Sequence, residues 1–295
     1  MANEVGKLGK KWIYFCCSVS SSIANFRDKV AKKYQLKFWD YWPFRDVIFF
    51  GMYHWVDYLK FIWCRRNKIV FWAGGDIVNL RNNRIGWIKM FKLFKAKHFC
   101  ENYREVSILK ILGIDAIAQP IFLEDPNDFP ITFKATENPH VFMNCHPGRE
   151  AEYGLLLIPW VAKNLPSITF HIYGEIENQM YYDIMPNNVT FHGRVPNEQF
   201  NEDIKNYQCG LRLNDIDGFS EITAKSILSG GYPLTRIPYE MLDSVKEDVN
   251  VYNNSSESLY RFLKELKYKT RPNLKAREYW FRQLSTNHFL DVLQE

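Results

Sequence analysis

An eighteen-residue segment from Asp217 to Leu234 reads D-G-F-S-E-I-T-A-K-S-I-L-S-G-G-Y-P-L, and it follows a short apolar run from Cys209 to Leu213. The apolar run predicts a buried strand, and the segment after it predicts a polar turn, a helix and a return to the sheet. Ser220 is the predicted N-cap of that helix, and Thr223 adds a hydroxyl in its first turn. Ligands of open parallel sheets bind where strand-end loops meet helix N-termini, so this unit predicts a site for a phosphate or diphosphate.

The rest of the chain repeats this alternation of strands and helices. The first strand is predicted at Lys11–Ser18, and a second alternating series begins at His140. It includes consecutive predicted strands at Ser167–Tyr173 and Asn188–His192, and two predicted helices, Ser255–Lys269 and Pro272–Leu293, close the chain. Alternation of this kind predicts βαβ units and mainly parallel sheets, hence an α/β fold.

A break in this pattern separates the two series. Residues Glu124–Pro139 contain three prolines and four acidic residues without a sustained period, which is typical of a linker. We therefore predict an N-terminal domain over residues 1–125, a linker over residues 126–139 and a C-terminal domain over residues 140–295.

The composition describes a globular protein whose charge is unevenly distributed. Of the 295 residues 46% are hydrophobic and 24% charged, with a net charge of +5. The first hundred residues hold 19 Lys and Arg against 6 Asp and Glu, a net charge of +13, which leaves −8 for the others. This asymmetry predicts an anionic partner for the N-terminal half. That half contains no recognisable nucleic-acid-binding module, so we expect no nucleic-acid partner.

The cysteines and the chain start suggest a reducing compartment. The six cysteines form no C-x-x-C pair, and the first residues do not resemble a secretory leader. We therefore expect neither a disulfide nor a zinc site, and a cytoplasmic location.

A basic, apolar segment over residues 86–97 reads G-W-I-K-M-F-K-L-F-K-A-K. It has the pattern of a helix that lies on an anionic membrane surface, which would make the protein peripheral to a membrane. The commoner interpretation is a helix that covers a sheet, with a core face and a solvent face.

Two N-terminal side chains are candidates for acid–base chemistry. The loop A-G-G-D, Ala73–Asp76, follows a predicted strand that ends at Trp72. If the reaction needs a general base, Asp76 is the first candidate and His54 the second; otherwise Asp76 would only orient a substrate. Asp76 is equally typical of a helix N-cap.

Four loops of the second half follow predicted parallel strands and should lie along one edge of the sheet. Their ranges are 146–149, 173–175, 192–194 and 214–220. Arg149 has the planar fork that pairs with phosphate oxygens, and Gly148 and Gly174 would let a ligand approach the backbone closely.

Four motifs in this half, in order and spacing, resemble the donor half of the retaining GT-B glycosyltransferases. They read N-C-H-P-G-R-E-A-E-Y-G (144–154), I-T-F-H-I-Y-G (168–174), V-T-F-H-G-R-V-P-N-E-Q-F (189–200) and G-L-R-L-N-D-I-D-G-F-S-E-I-T-A-K-S-I-L-S-G-G-Y-P-L (210–234). The resemblance implies two Rossmann-like domains facing each other across a cleft, an acceptor domain first and a nucleotide-sugar domain second. It also implies that the C-terminal helices pack back toward the N-terminal domain.

The resemblance further implies a set of donor-binding residues. Arg149 corresponds to the family's phosphate-binding arginine, and Asp217 and Lys225 stand where the family has two glutamates. A lysine in place of the second glutamate reverses a charge; it would pair with the diphosphate, and Glu221 would then take over a carboxylate role. The implied donor contacts are Gly148, Arg149, Tyr173, Gly174, Arg212, Asp217, Gly218, Phe219, Ser220, Glu221, Thr223 and Lys225.

The implied activity is transfer of a sugar, of hexosyl type, from a nucleoside-diphosphate sugar to the hydroxyl of a glycan or lipid-linked acceptor. No cofactor and no obligatory metal are expected. Two alternatives stay open: a sugar-nucleotide epimerase of the same fold, and a sugar-nucleotide-binding protein without turnover.

Overall fold

A computed structural model describes residues 15–83, 85–214, 217–245 and 251–285 of the chain. The chain divides into two compact units, and the boundary between them lies between Glu124 and Asp125. Among the helices of the described residues, none combines the length and the apolar character needed to cross a bilayer.

Within the described residues, the first unit holds a six-stranded parallel sheet in the order β2-β1-β3-β4-β5-β6. Its strands are β1 (Phe15–Val19), β2 (Lys37–Phe38), β3 (Asp46–Phe50), β4 (Lys68–Phe71), β5 (Lys97–Cys100) and β6 (Ile117–Ala118). Its α-helices are α1 (Arg27–Tyr34), α2 (Trp55–Trp63), α3 (Gly75–Asn83), α4 (Ile88–Leu93) and α5 (Tyr103–Ile111).

The central strand β3 shows why this sheet is covered on both faces. Its side chains alternate between two buried clusters, with Val47 and Phe49 in one and Ile48 and Phe50 in the other. Successive side chains of a strand point to opposite faces, so an unbroken apolar run fits a strand that has helices on both sides.

The second unit contains a six-stranded parallel sheet of its own within the described residues, in the order β12-β11-β10-β7-β8-β9. Its strands are β7 (His140–Asn144), β8 (Thr169–Tyr173), β9 (Val189–Gly193), β10 (Cys209–Arg212), β11 (Leu234–Thr235) and β12 (Asp243–Ser244). Its α-helices are α6 (Ile158–Asn164), α7 (Met180–Ile184), α8 (Asn197–Asp203), α9 (Glu221–Leu228), α10 (Val251–Leu266) and α11 (Leu274–Ser285). Counted within the unit, this is the 3-2-1-4-5-6 strand order of dinucleotide-binding folds.

One predicted segment differs from the structure, and two extend beyond the described residues. The short helix α7 separates β8 from β9, where consecutive strands were predicted. The first four residues of the predicted strand 11–18 and the end of the predicted helix 272–293 lie outside the described residues.

The basic segment 86–97 contains the helix α4 (Ile88–Leu93) and ends at the first residue of β5, and most of its apolar side chains contribute to the core. Ile88 and Phe91 are buried, and Trp87 packs against Tyr58 with their ring centroids 5.1 Å apart. Leu93, by contrast, is 71% exposed. The geometry therefore corresponds to a helix that covers the sheet, the commoner of the two interpretations of this segment.

Candidate functional site

The strand order of the second unit identifies its ligand-binding edge. β7 pairs with β10, whereas β8 lies on the far side of β7 and β11 on the far side of β10. The chain thus turns in opposite directions from these two strands, and a crevice opens beyond their carboxyl ends. Ligands of doubly wound sheets bind in such a crevice, so the loops after β7 and β10 form the candidate site.

Arg212, the last residue of β10, links the two strands at this crevice. Its guanidinium donates to Asn144 Oδ1 at 2.7 Å and forms an ion pair with Asp217. It also lies 4.8 Å from the ring centroid of Tyr153. Three contacts fix the direction of this largely buried cation, which places a preorganised positive charge at the crevice.

The loop that precedes the helix α9 is held in place by contacts with Trp280 and Tyr239. Phe219 is buried and stacks on Trp280 with 4.4 Å between the ring centroids. The Tyr239 hydroxyl donates to the Gly218 carbonyl at 2.6 Å. Ser220 is the N-cap, as predicted, because its Oγ accepts from the backbone N–H of Ile222 at 3.1 Å. The amide groups of the first turn of α9 are thereby held at the crevice.

A shallow depression lies at this helix N-terminus. It is too shallow to enclose a ligand as it stands, so a group of a larger ligand would bind at its mouth. Its lining consists of Arg212, Asn214, Asp217, Gly218, Ser220, Thr223, Thr235, Ile237 and Tyr239.

Two polar atoms of the lining residues have no hydrogen-bond partner among the described residues. Asn214 Oδ1 and Thr223 Oγ1 are buried and accept or donate no hydrogen bond within the described part of the chain. Asn214 is 4% exposed and Thr223 0% exposed. Buried polar atoms are nearly always hydrogen-bonded, and an unsatisfied one costs about 1–3 kcal/mol, so a pair of them in one depression indicates a polar ligand.

Arg149 lies in the loop after β7, as the sequence predicts. Its guanidinium is half exposed and pairs with Glu152, with Nε at 2.8 Å and Nη2 at 2.6 Å from Oε2. An exposed ion pair of this kind contributes about 0–1 kcal/mol, so an incoming phosphate could replace the Glu152 carboxylate at little cost. Gly148 beside it has a positive φ of 73°, which favours glycine.

The Glu150 carboxylate holds this loop in place. Its Oε1 accepts from the backbone N–H groups of Gly148 at 3.2 Å and Glu177 at 2.8 Å. Burial raises the pKa of Glu150, but these backbone donors outweigh it and leave the pKa below its usual range. Glu150 therefore connects the loops after β7 and β8 as an ionised carboxylate.

Tyr173 and Gly174 were predicted to contact the donor, and the structure gives both a different role. The Tyr173 hydroxyl is 3.0 Å from Asp203 Oδ2 and 3.0 Å from the Tyr207 hydroxyl, so the side chain is used within the unit. A Cβ at Gly174 would lie 2.2 Å from the Cys145 carbonyl oxygen. Close packing of two loops, not the approach of a ligand, therefore requires glycine at this position.

Histidines on three neighbouring strands form a hydrogen-bonded row beside Tyr173. His171 is 2.9 Å from His140 on one side and 2.9 Å from His192 on the other, measured between ring nitrogens. Its ring stacks on Tyr207 with 4.3 Å between centroids. Burial lowers the pKa of His171 to about 4, so the central imidazole of the row is neutral at pH 7.

Lys225 was predicted to pair with the diphosphate, but it lies outside the depression. Its side chain is fully buried, with Nζ 3.1 Å from Asn197 Oδ1, 3.8 Å from Glu221 Oε2 and 5.2 Å from the ring centroid of Phe200. Two residues along a helix correspond to about 200° of rotation, so Thr223 and Lys225 point in nearly opposite directions. The departure from the family pattern therefore places a buried ammonium between α8 and α9.

In the first unit, the crevice lies between the ends of β1 and β3, because the chain continues in opposite directions from these two neighbours. Ser22 follows β1 and His54 follows β3, and Ser22 Oγ is 2.8 Å from His54 Nε2. Both side chains are exposed. His54 is thus an accessible titratable group at the point of this sheet where a ligand is expected.

Asp76, the first candidate for a catalytic carboxylate, is completely buried. Its Oδ2 accepts from the backbone N–H of Met52 at 2.8 Å and its Oδ1 from that of Ala73 at 3.0 Å. Burial raises the pKa of Asp76 to about 7, although these backbone donors lower it. A general base must reach the acceptor hydroxyl, so this geometry gives Asp76 a structural role and leaves His54 as the accessible candidate.

The sequence analysis missed two residues of the candidate site. Asn144 ends β7 and binds Arg212, and Tyr239 supports the loop before α9. The position of Asn144 at the end of a predicted strand is a signal that could have found it. Tyr239 follows β11 in sequence, and its proximity to Gly218 results from the pairing of β11 with β10.

The chain resembles known proteins in fold but not in sequence. No protein-family model matches the chain, and no curated protein sequence matches it. Solved structures match well. They include the pneumococcal O-GlcNAc transferase GtfA in complex with UDP and GlcNAc, with a TM-score of 0.59 and 12% identity over 84% of this chain and 56% of that one.

Two further solved structures match over a larger share of their own length. Anabaena HepE in complex with UDP-glucose has a TM-score of 0.60 and 11% identity over 85% of this chain and 78% of that one. Sucrose-phosphate synthase from Thermosynechococcus elongatus has a TM-score of 0.59 and 11% identity over 92% of this chain and 75% of that one. This chain therefore has the GT-B fold of two Rossmann-like units, as predicted, and it spans just over half the length of GtfA.

Proposed function

We propose that this protein is a glycosyltransferase that moves a sugar from a nucleoside-diphosphate sugar to an acceptor hydroxyl. The observation that supports it most is the depression at the N-terminus of α9, with two buried, unpartnered polar atoms of Asn214 and Thr223. Helix N-termini favour anions, and this one lies at the switch point of a dinucleotide-type sheet. The fold it shares with UDP-bound and UDP-glucose-bound structures agrees with this proposal.

In the proposed complex a phosphate group binds at the mouth of the depression, and the lining side chains move apart to admit it. The first turn of α9 and the hydroxyl of Thr223 donate to its oxygens, and Arg212 supplies the nearest fixed positive charge. Arg149 exchanges Glu152 for the second phosphate. The negative charge that develops on the diphosphate as the sugar leaves would then be stabilised by these oriented donors, and no metal is required in this scheme.

We assign acceptor binding to the first unit, at the ends of β1 and β3. His54 is the accessible group there that could accept or orient the acceptor hydroxyl, with Ser22 holding its ring. The acceptor is a glycan or a lipid-linked sugar, and the transferred group is a hexosyl unit.

Binding of UDP, GDP, ADP and dTDP, measured by calorimetry and thermal shift, tests the donor assignment. Arg149→Ala should weaken the best ligand by about tenfold, since it removes a charge-assisted hydrogen bond. It should leave the free protein nearly as stable, because only an exposed ion pair is lost. Lys163→Ala, an exposed lysine at the end of α6, is the matched control. If no nucleotide binds, or if both variants bind alike, the proposed donor site is wrong.

A second function is favoured by the burial of Lys225 and Asp76. A GT-B protein whose second family glutamate is replaced by a buried lysine could bind sugar nucleotides without turnover. Radiolabelled UDP-sugars and GDP-sugars, incubated with a broad set of acceptors, distinguish the two functions. Transfer or donor hydrolysis that is lost in His54→Gln supports the enzyme, and binding without either reaction supports the binding protein.

A further inference from the structure

The outer face of helix α2 is apolar where a surface helix is normally polar. Its exposed stripe consists of Trp55, Val56, Leu59 and Trp63, whose exposed fractions are 61%, 39%, 46% and 53%. The opposite face already fills the core, since Tyr58 and Phe61 of the same helix are each 1% exposed. The exposed stripe therefore needs an explanation other than packing within the first unit.

The loop between β2 and β3 extends this stripe. Its aromatic side chains Tyr41, Trp42 and Phe44 are 57%, 58% and 58% exposed. Trp63 Nε1 donates to the Tyr41 carbonyl at 2.9 Å, which joins the loop to the helix. The ring centroids of Trp42 and Phe44 are 5.9 Å apart. We call this surface the aromatic patch, and it comprises Tyr41, Trp42, Phe44, Trp55, Val56, Leu59 and Trp63.

Positive charge surrounds the aromatic patch. Lys60 Nζ lies 5.5 Å from the ring centroid of Tyr41, between the two exposed turns of α2. Arg65 follows the helix and is exposed. Neither cation has a carboxylate within ion-pair distance in the part of the chain that the structure describes, whereas Arg45 pairs with Asp40 at 3.6 Å. These cations are part of the +13 net charge of the first hundred residues.

We propose that the aromatic patch rests on the surface of an anionic lipid bilayer. Tryptophan and tyrosine are the residues that favour the interface between lipid and water, and lysine and arginine beside them attract anionic headgroups. Protein interfaces need about one hydrogen bond per 100–200 Å², and the aromatic patch offers few side chains that could supply them. The Trp63 indole N–H is already satisfied by Tyr41, so its ring can enter an apolar layer without losing a hydrogen bond.

This inference is independent of the proposed transfer reaction. It also differs from the interpretation of segment 86–97 as a membrane helix, because Ile88 and Phe91 of that segment are buried. The two surfaces can be distinguished by mutation. Leu93, the exposed apolar residue of α4, serves as a marker for the other surface.

The test is sedimentation of the full chain with vesicles of phosphatidylcholine alone and of phosphatidylcholine mixed with phosphatidylglycerol. We expect binding to the anionic vesicles that weakens between about 0.05 M and about 0.5 M salt. The double variant Trp42→Ser with Trp55→Ser should lose about tenfold or more in affinity, because two exposed rings no longer enter the interface. Replacing Lys60 and Arg65 by glutamate should cost at least about fivefold per charge.

The matched control is Leu93→Ser with Ile111→Ser, which removes two apolar side chains that are 71% and 85% exposed on other helices of the same unit. It should bind vesicles like the unchanged protein. Circular dichroism melting and nucleotide binding verify that every variant is folded, so a failure here is separate from a failure of the donor site. Absence of binding to anionic vesicles at low salt overturns the proposal, as does equal binding by the tryptophan variant. Self-association in sedimentation velocity that is lost in the tryptophan variant, without vesicle binding, would assign the patch to a second copy and also overturn it.

Discussion

Replacing Thr223 by valine should have opposite effects on stability and on ligand binding. Its hydroxyl is fully buried and has no partner among the described residues, so the ligand-free protein bears the cost of desolvating it. That cost is about 1–3 kcal/mol, and valine matches the shape of threonine without the hydroxyl. Thr223→Val should therefore stabilise the free protein by about 1 kcal/mol, or raise the melting temperature of a unit of this size by about 2–4 °C.

The nucleotide complex should respond in the other direction. A hydrogen bond from this hydroxyl to a phosphate oxygen contributes about 1.5–3 kcal/mol, so its loss should weaken nucleoside-diphosphate binding about tenfold to a hundredfold. Calorimetric titration gives the affinity, and urea unfolding of the free protein gives the stability.

Thr235 provides the control in the same depression. Its Oγ1 donates to the Ile237 carbonyl at 2.5 Å, so Thr235→Val breaks an existing bond and should destabilise the free protein by about 1–2 kcal/mol. If Thr223→Val destabilises the protein as much as Thr235→Val, the hydroxyl of Thr223 has a partner and the reasoning is refuted. Unchanged nucleotide affinity in Thr223→Val would remove this residue from the donor site.

Three further predictions follow from the same geometry. Gly174→Ala should lower the free energy of unfolding in urea by about 3 kcal/mol or more, because the new Cβ would overlap a backbone carbonyl. Gly193→Ala, whose Cβ would meet nothing within 4 Å, should lower it by about 1 kcal/mol. Equal losses would contradict this prediction. Asp76→Asn should destabilise the protein by about 2 kcal/mol, since the carboxylate oxygens of Asp76 accept hydrogen bonds from two backbone N–H groups. His54→Gln should leave stability unchanged and lower kcat. The reverse pattern would restore Asp76 as the catalytic candidate. Burial lowers the pKa of His171 to about 4, so the folded protein should be most stable above about pH 6.5 and lose about 3 kcal/mol as the pH falls toward 4, a loss that a neutral His171→Gln variant should not show.

Much of the fold could be predicted because it depends on local pattern. Apolar runs of four or five residues, as in β3 and β4, alternate with helical segments, and this alternation indicates parallel α/β units whatever the rest of the chain does. Ser220 was predicted as a cap because capping depends on a residue and its next three neighbours. Arg149 was placed in a strand-end loop because the apolar run just before it predicts a strand.

The side chains on which the chemistry depends were harder to predict. Asp76 and Lys225 look in sequence like exposed functional groups, yet both are completely buried. The partners that bury them, the backbone of Met52 and the side chain of Asn197, lie 24 and 28 positions away along the chain. Periodicity within one helix contains no information about such contacts.

The sequence alone thus determined two parallel α/β units and the loops that end their strands, because strand and helix formation and helix capping are governed by near neighbours. The tertiary structure decided which loops share a crevice, since the order of strands in a sheet is set by pairing between distant segments. It also decided that His54 rather than Asp76 is accessible, and that Trp55 and Trp63 of α2 face outward. It further decided that Asn214 and Thr223 line one depression with buried polar atoms that have no partner among the described residues. Burial is a property of the whole packed unit, and so is the chemistry that burial permits.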